Sequence, residues 1–281
     1  MSANPSQPPG GSLEAEGLAF DYREGERRVA ALAGVSVALR PGSSTALLGP
    51  TGSGKSTLLL LLRGLLVPDA GVVRINGLSP GQDGYAKAQL TVGVVFQQAE
   101  RQLFAATAQD DVAFGPRQLG WSPEQVDGAV TDALESVGLP REKFGARHPY
   151  SLSGGEQRRL ALAGVLAMRP RALLLDEPFA GLDPGARRDL TTTLLRLREG
   201  GQTLLLATHD VDQAWALCGE RVILAGGRVQ AAGAWSFDSG GVEALEQNRL
   251  RLPSLVDLWR KLGRPAGEAP HTAVEAAEAL L

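Results

Sequence analysis

Three short stretches of this 281-residue chain carry residue types that could do chemistry together. The first is GPTGSGKST, Gly49 to Thr57, which places Gly49, Gly54, Lys55 and Ser56 in the spacing of a phosphate-binding loop. Glycines in such a loop let the backbone of Gly49, Pro50, Thr51, Gly52, Ser53 and Gly54 wrap phosphates with its N–H groups turned inward. Lys55 then reaches the outer phosphates, Ser56 holds Mg²⁺ and Thr57 adds a phosphate contact. The second stretch is ALLLDEP. Its Asp176 is suited to the magnesium shell, and its Glu177, free of the metal, to orienting or deprotonating water. Two further polar residues end apolar runs: His209 in LLLATHD and Gln97 in VVFQQ. His209 could bond the terminal phosphate or the water. Gln97 could offer its carbonyl to magnesium and its amide to water. The third stretch is LSGGEQ, Leu152 to Gln157. Ser153 followed three residues later by Glu156 reads as a capping box, leaving a helix tip ready for a second anion.

These groups need elements that hold them at strand ends. SSTALLG leads as a short buried strand into the first loop, and KSTLLLLLRGLL leaves it as a helix with leucines on nearly every face. Buried strands over 90–96, 171–177 and 203–209 alternate with helices, which predicts an α/β sheet covered on both faces. Strand material also fills 13–40, ending in a Pro-Gly turn, and two short strands fall in RVILAGG and RVQAAG. From Ala99 to about Gly138 the pattern turns helical, with a break predicted at FGPRQLGWSP and a helix start at Ser122. Residues 1–12 read as a flexible lead-in, 13–235 as the main unit with a helical subdomain over about 99–168, and 236–281 as a helical extension. Within that extension RLPSLVDLWRKLG forms one amphipathic helix, and GRPAGEAPHT reads as a linker.

Bulk properties narrow the class. The net charge of −3 carries no electrostatic footprint for nucleic acid. The single cysteine, Cys218, allows no intrachain disulfide and reads as a small side chain near a helix end. No run of 18 apolar residues occurs, and the N-terminus lacks a basic segment and an apolar core, so a secretory signal is not expected. Any membrane association is expected to come through a partner.

Taken in their order along the chain, these motifs resemble the nucleotide-binding subunit of ABC transporters, over Leu13 to about Gly233. LSGGEQ resembles the family signature, AGLD (Ala180 to Asp183) the loop joining two active sites, His209 the switch histidine and Gln97 the glutamine of the Q-loop. Tyr22 matches the aromatic that stacks on adenine, and Glu177 the catalytic glutamate. The resemblance implies a P-loop ATPase fold: a mixed sheet core, a helical signature subdomain and a small helical C-terminal extension. It implies ATP and Mg²⁺ as ligands. It also implies a second ATPase subunit whose Ser153, Gly154, Gly155 and Asp183 reach the ATP held by the first; a homodimer and a heterodimer both fit.

A closer likeness lies in VGVVFQQAERQLFAATAQDDVAFGPRQLG, which resembles the ATPase of energy-coupling-factor transporters for vitamins or for cobalt and nickel. RLPSLVDLWRKLG resembles the dimerisation tail of such subunits. That likeness implies a transmembrane coupling protein touching Asp110, Asp111 and Phe104, a substrate-binding membrane protein, and a peripheral place on the cytoplasmic face of the cell membrane. Phe114 and Trp121 are expected in local core. ATPases of other ABC transporter classes and soluble ABC-type ATPases share the same motifs. Soluble ones usually carry two fused halves or a long coiled-coil arm, and this chain has neither. Intact Glu177 and His209 argue against a non-hydrolytic scaffold.

Overall fold

The computed structural model describes residues 11–25 and 27–280. Most of the expected flexible lead-in lies outside the described residues. Gly11 and Ser12 are already tied in, Gly11 donating to the Arg171 carbonyl and Ser12 to the Asn76 side chain, each at 3.1 Å.

Among the described residues, nine strands form two sheets. Strands β1 (Leu13–Glu24), β2 (Arg27–Leu39) and β4 (Ala70–Ile75) pair antiparallel in the order β2-β1-β4. The main sheet contains β3 (Ser44–Leu48), β5 (Val92–Val95), β6 (Ala172–Asp176), β7 (Thr203–Thr208), β8 (Glu220–Ala225) and β9 (Arg228–Ala234), in the order β5-β6-β7-β3-β8-β9. All its pairings are parallel except β8 with β9, so the sheet is mixed. The apolar runs in β3, β6 and β7 are buried at every position, as strands covered on both faces must be.

Helix α1 (Lys55–Arg63) lies between the two sheets. Its Leu58, Leu59, Leu61 and Leu62 are each at most 1% exposed and pack against both. At roughly 1.5–3 kcal/mol for each leucine fully removed from water, this helix is the apolar pin behind the phosphate loop. A short helix α2 (Tyr85–Gln89) follows on one edge.

The helical insert comprises α3 (Ala108–Gln118), α4 (Pro123–Ser136), α5 (Arg141–Phe144) and α6 (Gly154–Leu166). The break predicted at FGPRQLGWSP comes late: α3 continues through Pro116 to Gln118. Tertiary packing overrides the proline here, because Gly115 seats α3 so close to Met168 that an added Cβ would lie 2.7 Å from its side chain. The chain then turns at Leu119–Trp121, and Ser122 opens α4 with a full capping box to Gln125.

Helix α7 (Pro184–Glu199) follows β6, and α8 (Val211–Leu217) follows β7. The extension holds α9 (Ser239–Gln247), which the sequence pattern did not reveal, then α10 (Ser254–Lys261) and α11 (Ala273–Leu280). The segment expected as a linker is instead a strap across α8. Trp215 Nε1 donates to the Pro270 carbonyl at 2.9 Å, and His271 stacks on the Trp215 ring at 3.9 Å between centroids. Cys218 closes α8 as expected, and burial pushes its thiol up to about 12.

Candidate functional site

The phosphate loop joins β3 to α1, and its glycines are there for space. A Cβ on Gly49 would sit 2.1 Å from the Leu224 carbonyl oxygen, and one on Gly54 2.6 Å from that of Ala31. Gly54 enters α1 at φ 102° with no side-chain cap. The first-turn amides of α1 therefore have no carbonyl before them to bond. Ser53 Oγ is buried without a hydrogen-bond partner. Lys55 is buried, and its Nζ donates to the carbonyls of Gly49 at 2.8 Å and Pro50 at 3.1 Å. Burial lowers its pKa, an effect opposed by the nearby carboxylates of Glu177 and Asp176.

Across the loop stand the ends of β6 and β7. Asp176 is the last residue of β6; burial raises its pKa and the Glu177 charge adds to the rise, against a hydrogen bond from Ser56 and the Lys55 charge. Glu177 sits at φ 45°, a left-handed conformation that costs about 1–3 kcal/mol in a non-glycine residue. Its surroundings hold it there. Its amide donates to the Ala207 carbonyl at 2.8 Å, the Thr208 hydroxyl donates to one carboxylate oxygen at 3.1 Å, and His209 Nδ1 lies 2.8 Å from the other.

One pocket of about 350 Å³ gathers Tyr22, Thr51, Gly52, Gly54, Lys55, Ser56, Thr57, Gln97, Asp176, Glu177 and His209. Gly49, Pro50 and Ser53 form the loop behind it. Sequence reasoning missed Val29, Ala30 and Ala31, the apolar wall contributed by β2, because small residues on a strand carry no chemical signal. It also missed Thr208, whose place beside His209 was the available hint. Tyr22 lies at the rim, 40% exposed, with its hydroxyl 3.2 Å from Thr57 Oγ1. An exposed aromatic edge, unbonded amides at a helix start, a cation and an orphan hydroxyl fit a nucleoside triphosphate. Oxygen donors Ser56, Asp176 and Gln97 on the same wall fit Mg²⁺.

The signature residues lie elsewhere. Ser153 caps α6, its Oγ accepting from the Glu156 amide at 3.3 Å while Glu156 accepts from the Ser153 amide at 2.8 Å. Those bonds lower the Glu156 pKa, the Ser153 backbone bond most. Ser153, Gly155 and Asp183 do not line the phosphate pocket. Gly154 lines a separate cleft with Gln97, Arg158, Ala180, Gly181 and Leu182. The two glycines differ: nothing lies within 4 Å of a Cβ on Gly154, whereas one on Gly155 would meet the Ala186 side chain at 2.7 Å. Asp183 caps α7, accepting from the amides of Gly185 and Ala186 at 2.8 and 3.0 Å, and these bonds lower its pKa.

The third group divides. Asp111 accepts from the amides of Phe104 and Ala105 at 2.9 and 2.8 Å, so one of its oxygens staples its own loop. Asp110 bonds Thr107 and pairs with Arg117 at 3.2 Å, facing a different cavity. Phe104 is 61% exposed and stands edge-to-face with Phe114, centroids 4.9 Å apart. Phe114 was expected in core and is 47% exposed on the rim of an apolar groove that Asp111 and Met168 share. Trp121 packs against the core as expected.

Known proteins resemble the chain over most of its length. The family model described as ABC transporter matches residues 32–180. The chain is 42% identical to the cobalt import ATP-binding protein CbiO of Rhodobacter capsulatus, over 93% of this chain and 92% of that protein. It is 41% identical to the energy-coupling factor transporter ATP-binding protein EcfA2 of Streptococcus pneumoniae, over 88% and 90%. Among solved structures, CbiO1 of Clostridium perfringens, described as part of an ABC transporter complex, superposes with TM-score 0.72 at 33% identity, over 88% of this chain and 98% of that one. A dimeric ATP-binding cassette in a post-hydrolysis state with ADP and Pi superposes with TM-score 0.71 at 27% identity, over 80% and 99%.

Proposed function

The chain belongs to the ABC transporter family, among ATP-binding subunits of the energy-coupling-factor and related types, and from that membership we propose that it powers uptake of a transition-metal ion or a vitamin. Two ATPase subunits close head to tail on two ATP molecules, each tip at Ser153–Gly155 sealing the phosphates held by the other's loop. The observation that carries this reading is the separation within one chain. Lys55, Ser56, Asp176, Glu177 and His209 share one pocket, while Gly154 opens onto a neighbouring cleft that meets the first only at Gln97. A solved relative of the same fold is a dimer holding ADP and Pi.

In the closed site Lys55 and the first-turn amides of α1 hold the phosphate oxygens. Ser56, Asp176 and Gln97 hold Mg²⁺, which when bound neutralises charge on those oxygens. Glu177 orients a water and takes its proton as the water oxygen bonds the γ-phosphorus and the bond to the ADP oxygen breaks. Thr208 and His209 fix the Glu177 carboxylate, and in this reading His209 touches the γ-phosphate and reports its loss. Tyr22 stacks on adenine. Phe104 and Phe114, with Asp111 on the groove beside them, face a transmembrane coupling protein, while Asp110 is turned to another cavity; the subunit then sits peripherally on the cytoplasmic membrane face. Among the described residues no helix is long and apolar enough to cross a membrane, in keeping with attachment through a partner.

Replacing Glu177 with glutamine tests the chemistry. ATP binding is expected to persist while hydrolysis falls about 10²–10⁴-fold, the scale of a lost general base. Undiminished turnover in that variant removes Glu177 from the mechanism. Affinity purification from the native membrane tests the transport assignment, and recovery of no membrane protein counts against it.

A further inference from the structure

Arg158 was given no role by its sequence context, yet it is 7% exposed and its guanidinium bonds two separate segments, 97–100 and 178–180. It sits on α6, five residues after Ser153. Its Nη1 donates to the carbonyls of Pro178, at 3.2 Å, and of Ala180. Its Nη2 donates to the Gln97 carbonyl at 2.8 Å and to the Glu100 carboxylate at 3.2 Å. Pro178 follows Glu177 directly, and Gln97 is the residue assigned to magnesium and water. One rigid, planar fork therefore spans the signature helix and the two loops that carry this chain's own chemistry. Burying a full charge there is costly unless every bond is made, so small shifts of α6 are resisted by both loops together. Glu177 depends on such support, because its backbone is held in a strained conformation.

We propose that Arg158 is the positioning residue through which the α6 tip, on closing the partner's ATP site, sets Gln97 and Glu177 in its own chain. This rests on the two-subunit ATPase reading above. It extends that reading by tying the closure of one site to the competence of the other. Gly154 and Arg158 line one cleft, with Gln97 and Ala180 opposite, so the tip and both loops meet across a single space. A lysine at this position keeps the charge but offers donors from one nitrogen only, and cannot span the same carbonyls.

The test uses the full chain with Arg158→Lys, Glu100→Gln, Ser153→Ala and the double variant Ser153→Ala/Arg158→Lys, alongside Glu177→Gln. Steady-state hydrolysis, ATP affinity and thermal unfolding are measured for each. Arg158→Lys is expected to lower kcat about 10- to 100-fold, the scale of a misplaced reacting group, with KM changed less than about 3-fold. Glu100→Gln, which weakens one anchor and spares the fold, is expected to lower kcat about 5-fold. The double variant is expected to fall little below the worse single variant, since both act on one coupled unit. The proposal is overturned if Arg158→Lys keeps wild-type kcat, if kcat and ATP affinity fall together in step with the melting temperature, or if the two single effects simply multiply. Full hydrolysis by Glu177→Gln would instead refute the catalytic reading, whatever Arg158 does.

Discussion

At Gly54 the chain enters α1 through a left-handed glycine with no side-chain cap; at Ser153 it enters α6 through a hydroxyl and carboxylate that satisfy each other's amides. The first start is walled by two sheets, with Lys55 buried beside it. The second is exposed, and Gly154 has no neighbour within 4 Å of where a side chain would begin. Both are glycine-rich helix tips with a dipole favouring anions. The difference lies in how many donors remain. The α1 start leaves its first-turn amides free toward one pocket, a grip suited to holding several phosphate oxygens. The α6 start consumes the amides of Ser153 and Glu156 in its own cap, leaving Gly154 and Gly155 to meet an anion. A tip so depleted, exposed at Ser153 and Gly154, suits a lid for someone else's ligand.

That contrast can be broken at single glycines. Gly154→Asp places a carboxylate where the partner's γ-phosphate is expected. Hydrolysis should fall about 10²–10³-fold, the scale of losing a transition-state donor. Stability should hold or rise by about 0.3–1 kcal/mol, since an acid in the first turn complements the helix dipole. Activity and calorimetry on one preparation check both, and retained turnover would show that the tip meets no phosphate. Gly155→Ala acts the other way. Its methyl presses on Ala186, so stability should drop by about 1–3 kcal/mol, an overpacking cost, with activity following through the displaced tip. A melting temperature equal to wild type would mean that α6 and α7 are not in register as described.

The smallest effect is that of pH on the cap. Glu156 has its pKa lowered in the fold, chiefly by the Ser153 amide. A carboxylate so lowered contributes its full share of stability above its ordinary pKa of 4.5 and loses it as pH falls through the lowered value. Hydrogen exchange of the Ser153 and Glu156 amides should therefore speed up, relative to the rest of α6, below about pH 4.5, while the buried α1 helix keeps its protection. Equal acceleration in both helices would mean global acid unfolding and no local cap effect.

Reading the chain alone went far at the phosphate site because each of its groups follows a strand, and strand ends in a parallel sheet converge. The loop, Asp176, Glu177, His209 and Gln97 thus meet by topology. The same reasoning fell short in the insert. Pro116 looked like a helix end and sits inside α3, because the close seat of Gly115 on Met168 outweighs one lost backbone bond. Phe114 looked like core and lies on a groove rim, since a mixed apolar pattern does not say which face a neighbouring helix covers. Asp111 was expected against a membrane partner, and one of its oxygens is taken by the amides of Phe104 and Ala105, a bond within its own loop that spacing leaves ambiguous.

The sequence by itself determined the two glycine-rich starts, the capping box at Ser153, the acids at the end of β6 and the buried character of α1. All of these are set by neighbours a few residues away or by unbroken apolar runs. Only the tertiary structure decided that Gly154 opens onto a cleft beside the phosphate pocket, that Arg158 ties its own helix to two loops, and that residues near Pro270 strap α8. These depend on contacts between segments tens of residues apart. A hydrogen bond from a guanidinium to a distant carbonyl leaves no mark on the residue that supplies the carbonyl, because every residue has one.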